Sequence, residues 1–257
     1  MKQLRKIFFS LGWGFLIPVL LLIFWQIAGN QGLINSSIMP KPSILGQRFW
    51  ELLQDGTLWE NLRISLLRVL SGYLLGAALG LFLGIIIGFS KITQKLSSVM
   101  IGLFRPIPAL ACIPILILLL GIGEESKIVV IMIGSFWPML LNTIQGIHNV
   151  DSKLLELGRI LEKGRLETIF QIILPSAFPS IFTGLRLGIS ASWTNIVAAE
   201  MIAASSGMGH MISYAREMSQ PASVLIGIFS IGIVGLLIDS FVIFIQKKVI
   251  YWNTSLE

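Results

Sequence analysis

The sequence predicts an all-α integral membrane protein with six transmembrane helices. Of its 257 residues, 54% are hydrophobic and 12% are charged, and the mean hydropathy is +0.84. Because soluble domains carry about 25% charged residues, this excess of apolar side chains requires lipid as the solvent. The chain also contains six apolar stretches near the length of about 20 residues that crosses a bilayer. We predict spans at residues 9–28, 66–89, 99–120, 128–147, 181–204 and 224–245.

The distribution of lysine and arginine predicts the orientation. The connections on the same side as the termini hold more than half of the 19 lysines and arginines. Such an excess is typical of the cytoplasmic side, so we expect both termini to be cytoplasmic. The basic N-terminus leads into an apolar run that is long for a signal peptide and lacks a cleavage motif. We therefore interpret it as a retained first helix rather than a cleaved signal.

The chain is expected to have two parts. Residues 1–60 hold the first span and an external segment, residues 43–54, in which aliphatic and aromatic residues alternate with polar ones. This segment is too short to span, so we predict an interfacial helix, with a partner-docking surface as the alternative. Residues 61–257 form a five-helix core. In its first helix every fourth residue from Gly72 to Gly88 is glycine, which allows close approach of another helix.

The sequence contains no recognisable catalytic or metal-binding constellation. Cys112 is the one cysteine, and His148 and His210 are far apart at predicted loop ends. Neither a G-x-S-x-G motif nor a G-x-x-x-x-G-K-[ST] phosphate-binding loop is present. We expect no enzyme activity, metal or cofactor on this chain. Because its cations lie between apolar stretches rather than in one patch, we also expect no nucleic-acid partner.

The connection between the fourth and fifth spans, residues 151–180, is the most informative segment. Leucine, isoleucine and phenylalanine alternate there with charged residues at helical spacing. We predict a helix–break–helix in which Gly164 interrupts the helix and Pro175 and Pro179 end it. The apolar face must be covered either by the protein's own bundle or by a partner.

Residues 156–175 of this segment resemble the EAA loop of ABC importer permeases. Glu156 and Pro175 have the family's spacing, and Ile172 and Leu174 match its Ile-x-Leu-Pro ending. The family's Ala-Ala is replaced by Leu157 and Gly158. Its glycine is replaced by Glu162, and a glycine follows at Gly164, so we expect the break to be shifted. The resemblance implies an ATPase-coupling role for Glu156, Gly158, Arg159, Leu161, Glu162, Gly164, Ile172, Leu174 and Pro175.

Residues 60–252 resemble the importer subfamily for nitrate, aliphatic sulfonates, taurine and bicarbonate. The runs RPIPALACIPILILLLGIGEESK, PSIFTGLRLGISASW and VAAEMIAASSGMGHMI carry this likeness. It implies a type I importer permease fold in the bacterial plasma (inner) membrane. The implied partners are a second permease copy, two ATP-binding cassette subunits that hold ATP and Mg, and an external solute-binding protein.

The resemblance implies a small anion as substrate, such as an aliphatic sulfonate, taurine or nitrate, with a vitamin precursor as the alternative. The composition also permits two other classes, a gradient-driven secondary transporter and an intramembrane enzyme. The first often shows an internal repeat, and none is evident here. The second would need a catalytic constellation, which the sequence lacks.

Charged residues inside the predicted spans need partners or a function. On the fifth span, Arg186, Ser190, Trp193 and Glu200 fall on one helical face, which we expect to point inward, whereas Asn195 falls on the opposite face. Arg186 and Asp239 lie at matching depth, so we predict a structural ion pair between the fifth and sixth spans. By the same argument Arg68 pairs with Glu200.

Two alternatives stay open for these polar groups. Arg186 could contact an anionic substrate instead of serving a structural pair. Ser135 and Asn142 share one face of the fourth span, where they either line the translocation path or bond across helices.

Overall fold

The computed structural model describes the backbone of residues 2–250 and the side chains of residues 16–250. All regular elements in this part of the chain are helical. They are α1 (Lys2–Asn30), α2 (Pro42–Gln54), α3 (Thr57–Phe89), α4 (Lys91–Phe104), a 3₁₀ turn (Ala109–Cys112), α5 (Ile113–Leu120), α6 (Glu124–His148), α7 (Ser152–Ile160), α8 (Arg165–Thr168), a π turn (Ile169–Ile173), α9 (Leu174–Ala203), α10 (Met208–Glu217) and α11 (Pro221–Val249).

Four described helices are long and apolar enough to cross a membrane: α3, α6, the continuous helix Arg165–Ala203, and α11. A fifth is obtained if α4, the 3₁₀ turn and α5 are counted together as one broken span. In α1 the apolar stretch Leu16–Asn30 is described in full, and the side chains before it lie outside the described residues. Each of these long apolar helices coincides with one of the predicted spans.

The third predicted span is broken in two. Between Phe104 and Ala109 the chain leaves the helix. The helical segments before and after this break, Lys91–Phe104 and Ala109–Leu120, are bent by 78° relative to each other. Pro106 and Pro108 explain the break, because neither has an N–H to continue the helical hydrogen bonds. Pro114 is accommodated differently: it lies in the first turn of α5, where no intrahelical N–H bond is needed.

The described chain divides into two compact units. The first comprises the residues up to Glu60 together with Met211–Ser230. Here α1 is tied to the start of α2 by Gln26, whose side chain bonds both the backbone N–H and the hydroxyl of Ser43 at 3.0 and 3.3 Å. Arg48 of α2 donates to the hydroxyl of Ser223 at the start of α11, at 3.0 Å.

The second unit comprises Asn61–His210 and the residues from Ile231 onward. Its centre is α6, which packs between α3 and α9. On the α3 side, a Cβ added at Gly76 would lie 2.1 Å from the Ser135 hydroxyl and 2.3 Å from the Met132 carbonyl oxygen. Gly72, Gly80, Gly84 and Gly88 meet α6 in the same way. The predicted packing role of this glycine series is therefore confirmed, and α6 is the partner helix.

The contact between α6 and α9 also depends on small residues. A Cβ at Gly184 would lie 3.0 Å from Asn142 Cβ, and one at Gly146 would lie 2.8 Å from Ser180 Cβ. Close backbone approach on both sides explains why α6 is covered along most of its length. Its buried apolar residues include Val130, Ile131, Met139, Leu140 and Ile147.

Candidate functional site

The segment that follows α6 forms two helical arms joined by a sharp turn. Asp151 begins the first arm, since its carboxylate accepts a hydrogen bond from the Lys153 N–H at 2.9 Å. This arm, α7, ends at Ile160, and the chain reverses over the next four residues. The predicted helix–break–helix is therefore present.

The turn is closed at Glu162 and not at Gly164. Glu162 adopts a left-handed conformation with φ 52°. Its N–H donates to the Arg159 carbonyl and the Lys163 N–H to the Gly158 carbonyl, both at 3.0 Å. This is the Schellman pattern of a helix C-terminus, in which the left-handed residue is usually glycine. The expectation that the break shifts to Gly164 is wrong. Because α7 ends at Ile160, the residue that must adopt the left-handed conformation after it is Glu162.

Gly164 instead begins the second arm. Its extended backbone precedes α8, and its N–H donates to the Glu167 carboxylate at 3.2 Å. The prediction that Pro175 and Pro179 end this arm is also wrong, since the helix runs on to Ala203. Pro175 follows directly after the π turn Ile169–Ile173, and the changed hydrogen-bond pattern of that turn accommodates its missing N–H within the continuous helix.

The two arms contact each other through Gly158. It is buried, and a Cβ there would lie 2.7 Å from Ile172 Cδ1. A groove of about 510 Å³ follows this contact, lined by Leu154, Leu157, Gln171, Ile172, Pro175, Ser176 and Pro179. Among the predicted coupling residues, Leu174 and Pro175 are half-buried, whereas Glu156, Arg159, Glu162 and Gly164 are exposed.

The two arms expose several large apolar side chains. Ile160 is 77% exposed, Leu166 is 70% exposed, and Leu161 and Phe170 are also exposed. We call these four residues the docking face. Charged neighbours such as Arg159 and Lys163 border it. Several exposed large apolar side chains beside charged ones on one short segment are typical of a surface that binds another protein.

Arg186 and Asp239 meet in the second unit. Arg186 Nε lies 2.6 Å from Asp239 Oδ1, and Nη2 lies 2.8 Å from Oδ2. The contact is bidentate, which is the strong geometry for this pair of groups. Neither side chain is fully covered, with exposed fractions of 43% for Arg186 and 34% for Asp239.

Arg68 and Glu200 also meet, with Nη1 2.8 Å from Oε1. Arg68 has a second carboxylate partner that sequence reasoning missed, Glu124 at the start of α6, whose two oxygens each lie 2.6 Å from a guanidinium nitrogen. The carbonyl and hydroxyl of Ser206 accept from the same guanidinium. All five N–H donors of Arg68 are thus bonded. Glu124 lies before the predicted fourth span, residues 128–147, so matching the depth of charges within the spans did not connect it with Arg68.

Glu200 is the centre of this arrangement. Its carboxylate is completely buried and accepts from the Ser65 hydroxyl at 2.8 Å and the Gly209 N–H at 3.0 Å. Gly207, with φ 107°, lies so close that an added Cβ would stand 2.2 Å from Glu200 Oε1. We call Arg68, Glu200 and Ser65 the buried polar cluster, which Glu124, 55% exposed, joins from the surface. It holds α3, α6 and the loop after α9 together.

The predicted polar stripe of α9 is split. Trp193 and Glu200 are buried, and the Trp193 indole donates to the Ile231 carbonyl at 3.1 Å. Ser190 is exposed, and Arg186 lies at the margin of the exposed face. The exposed positions Thr183, Leu187, Ser190 and Thr194 follow one another at spacings of four, three and four residues. We call these four residues the open face of α9. Burial on α9 follows the glycine contacts with α6, so Trp193 and Glu200 are covered within the unit, whereas Arg186 and Ser190 lie on its exposed side.

The two candidate residues on α6 are engaged within the helix packing. Ser135 is fully buried, and its hydroxyl donates to the Ile131 and Met132 carbonyls. Asn142 is half-buried and donates to the Pro138 carbonyl at 2.8 Å. Asn195 on α9 contacts this helix near Gly134. In this structure neither candidate on α6 belongs to an open face.

Comparison with known proteins gives consistent relatives. The chain is 41% identical over 248 residues to the putative aliphatic sulfonates transport permease protein SsuC of Bacillus subtilis (strain 168), covering 96% of this chain and 90% of that protein. It is 31% identical to the taurine transport system permease protein TauC of Escherichia coli (strain K12), covering 98% and 92%. It is 36% identical to the nitrate import permease protein NrtB of Synechocystis sp. (strain PCC 6803), covering 90% and 86%.

The fold has a solved neighbour. An inward-facing structure of the MetNI methionine ABC transporter matches with a TM-score of 0.60 and 16% identity, covering 81% of this chain and 97% of that one. The sequence profile of one family matches residues 76–251, which include the two arms, α9 and α11. The chain therefore belongs to the family of binding-protein-dependent transport system inner membrane components, the permease subunits of ABC transporters.

Proposed function

We propose that this chain forms the membrane path of an ATP-driven bacterial importer for a small oxyanion. The relatives named for aliphatic sulfonates, taurine and nitrate support this substrate class, because all three substrates carry a compact, delocalised anionic group. The transporter would contain two copies of this chain, two ATPase subunits and an external solute-binding protein. Its location would be the plasma (inner) membrane.

The observation that carries the proposal is the docking face. Ile160, Leu161, Leu166 and Phe170 are all exposed, and the last two lie on the helix Arg165–Ala203, which continues into α9. In water such a face needs a partner. An ATPase subunit that binds here could transmit its movement directly into the membrane, since the second arm and α9 form one helix. ATP and Mg would be held by that subunit, as the chain carries no phosphate-binding loop.

The proposed topology has six spans with both termini in the cytoplasm. α1, α3, the broken pair α4–α5, α6, α9 and α11 each cross once. This arrangement places the two arms on the cytoplasmic side together with most of the lysines and arginines, as the positive-inside rule requires. Residues 61–257 would form the core and residues 151–175 the coupling loop.

The test is affinity purification of the tagged chain from its native membrane after mild crosslinking, with mass spectrometry of the retained proteins. We expect a P-loop ATPase in near-equal amount. If the chain is purified without an ATPase, the proposal fails and a gradient-driven transporter becomes the hypothesis to test.

A matched pair of variants locates the contact. Ile160→Glu places a charge on the docking face and should remove the ATPase from the purified complex. Because Ile160 is exposed, folding should change by less than about 0.5 kcal/mol. Lys153→Gln, an exposed change at the start of α7, should retain the ATPase. Retention of the ATPase by Ile160→Glu would place the contact elsewhere.

A further inference from the structure

Arg68 and Arg186 differ in how many of their N–H donors are bonded. All five N–H groups of Arg68 are bonded, to Glu124, Glu200 and Ser206. Arg186 uses only Nε and one N–H of Nη2, both toward Asp239. Among the described residues, no acceptor is bonded to its Nη1. Arg68 is therefore saturated, whereas Arg186 has three donors available.

The surroundings of Arg186 are not compatible with lipid. Its side chain is 43% exposed, although it lies within a helix that crosses the membrane. Charged groups at this depth face the protein interior or a water-filled cavity, because exposure to hydrocarbon costs several kcal/mol. The exposed side of the Arg186–Asp239 pair must therefore meet either water or another protein surface.

The open face of α9 continues from Arg186 and is partly polar. Ser190 lies one helical turn from Arg186, and residues at that spacing are neighbours on a helix surface. Within the described chain no hydrogen bond engages the Ser190 hydroxyl. Thr183 and Thr194 extend the same face, each with its hydroxyl on a carbonyl of its own helix. Because both threonine hydroxyls donate their protons to these carbonyls, the uncommitted donors on this side are the Ser190 hydroxyl and the free N–H groups of Arg186.

We propose that Arg186 and Ser190 form an oxyanion-binding step on the translocation path. Asp239 has a positioning role: it fixes the guanidinium through Nε and Nη2 and leaves Nη1 directed for a passing anion. The guanidinium fork can bond two oxygens of one oxyanion at the same time, and the hydroxyl adds a donor one turn away. Because Asp239 balances the charge, the anion would be held weakly enough to leave, as transport requires. This inference rests on the proposed function and adds the residues that select the substrate.

The test uses the fact that Cys112 is the one cysteine of the chain. In a Cys112→Ala background, Ser190→Cys creates a single thiol on the open face. The complete transporter in vesicles is treated with two methanethiosulfonate reagents, one carrying a sulfonate and one a trimethylammonium group. Each rate is divided by the rate of the same reagent with β-mercaptoethanol. We expect the anionic reagent to be favoured by roughly tenfold, because the proposal has the unbonded N–H groups of Arg186, and not the Asp239 carboxylate, facing this thiol.

Arg186 is tested in the same background. The double change Arg186→Gln and Asp239→Asn removes both charges together, so that no unpaired charge is left in the membrane. We expect this variant to keep its ATPase subunits and its Ser190→Cys labelling while losing the anion preference. Uptake is measured with radiolabelled taurine and with radiolabelled nitrate. For the substrate that the transporter accepts, uptake should fall together with the anion preference.

Two outcomes would overturn the proposal. If Ser190→Cys is unreactive toward both reagents in the assembled transporter, the open face is covered by the second copy or by lipid. If it reacts without preference for the anion, Arg186 does not select substrate. Retention of the ATPase is measured in the same preparations, so either failure is distinguishable from failure of the proposed function, in which no ATPase would be bound.

Discussion

At the scale of single residues, Glu162 carries a backbone conformation that glycine adopts more easily. Its φ of 52° is required to close α7, and both bonds of the turn depend on it. The residue before the turn, Leu161, and the one after it, Lys163, keep ordinary conformations. The strain is therefore confined to one position, and its removal is a simple experiment.

Glu162→Gly should make the turn more stable by about 0.5 kcal/mol. Relief of about 1–2 kcal/mol of left-handed strain is partly offset by the greater freedom of glycine in the unfolded chain. The amide hydrogen of Lys163, which bonds the Gly158 carbonyl, should exchange about twofold more slowly. Glu162→Ala keeps the Cβ and should show no slowing. Equal slowing in both variants would assign the effect to the lost charge instead.

A second residue-scale prediction concerns Glu200. Glu200→Gln removes the charge that the buried polar cluster places against Arg68, and breaking a buried pair in this way costs about 3–5 kcal/mol. Glu124→Gln is the matched control, because Glu124 is 55% exposed and solvent screens its contact, so the loss should be about 1 kcal/mol or less. Thermal unfolding of the purified protein measures both. Similar losses in the two variants would show that burial does not determine the strength of these contacts.

At the scale of elements, most helices were predictable from apolar length alone. The ion pairs Arg186–Asp239 and Arg68–Glu200 followed from matching depth, since helices in a bilayer share a common axis direction. The end of the second arm was mispredicted at Pro175 because the π turn Ile169–Ile173, which the sequence pattern does not reveal, lets the helix continue past the proline. Thr183 and Thr194 were missed because the exposed face of α9 is set by its glycines against α6, which periodicity in α9 alone does not reveal.

The glycine contacts of α6 give an element-scale prediction. Gly76→Ala adds a Cβ that must displace the Met132 carbonyl, a backbone atom that cannot move alone. Overpacking of this kind costs about 1–3 kcal/mol or more, and it should separate α3 from α6. Gly102→Ala on α4 is the control, because nothing lies within 4 Å of an added Cβ there. The folded yield on size-exclusion chromatography should fall only for Gly76→Ala, and a similar fall for both would point to a general effect of lost glycine.

At the scale of the whole molecule, the number of crossings depends on the broken pair α4–α5. If the pair crosses the bilayer, the two arms after α6 lie on the same side as the N-terminus. If the pair enters and returns on one side, α6 carries the chain outward and the arms lie outside. The bend of 78° alone is compatible with both geometries. The distribution of lysine and arginine favours a crossing, because it places the basic arms in the cytoplasm.

Single cysteines in the Cys112→Ala background decide between these topologies. Ser152→Cys marks the first arm and Ser205→Cys the loop after α9, and both positions are exposed. In intact cells, a membrane-impermeant maleimide should label Ser205→Cys and leave Ser152→Cys unlabelled until the membrane is opened. The reverse pattern would mean that the broken pair does not cross. The docking face would then lie outside the cell, where no ATP is supplied, and the ATPase-coupling role of the two arms would be untenable.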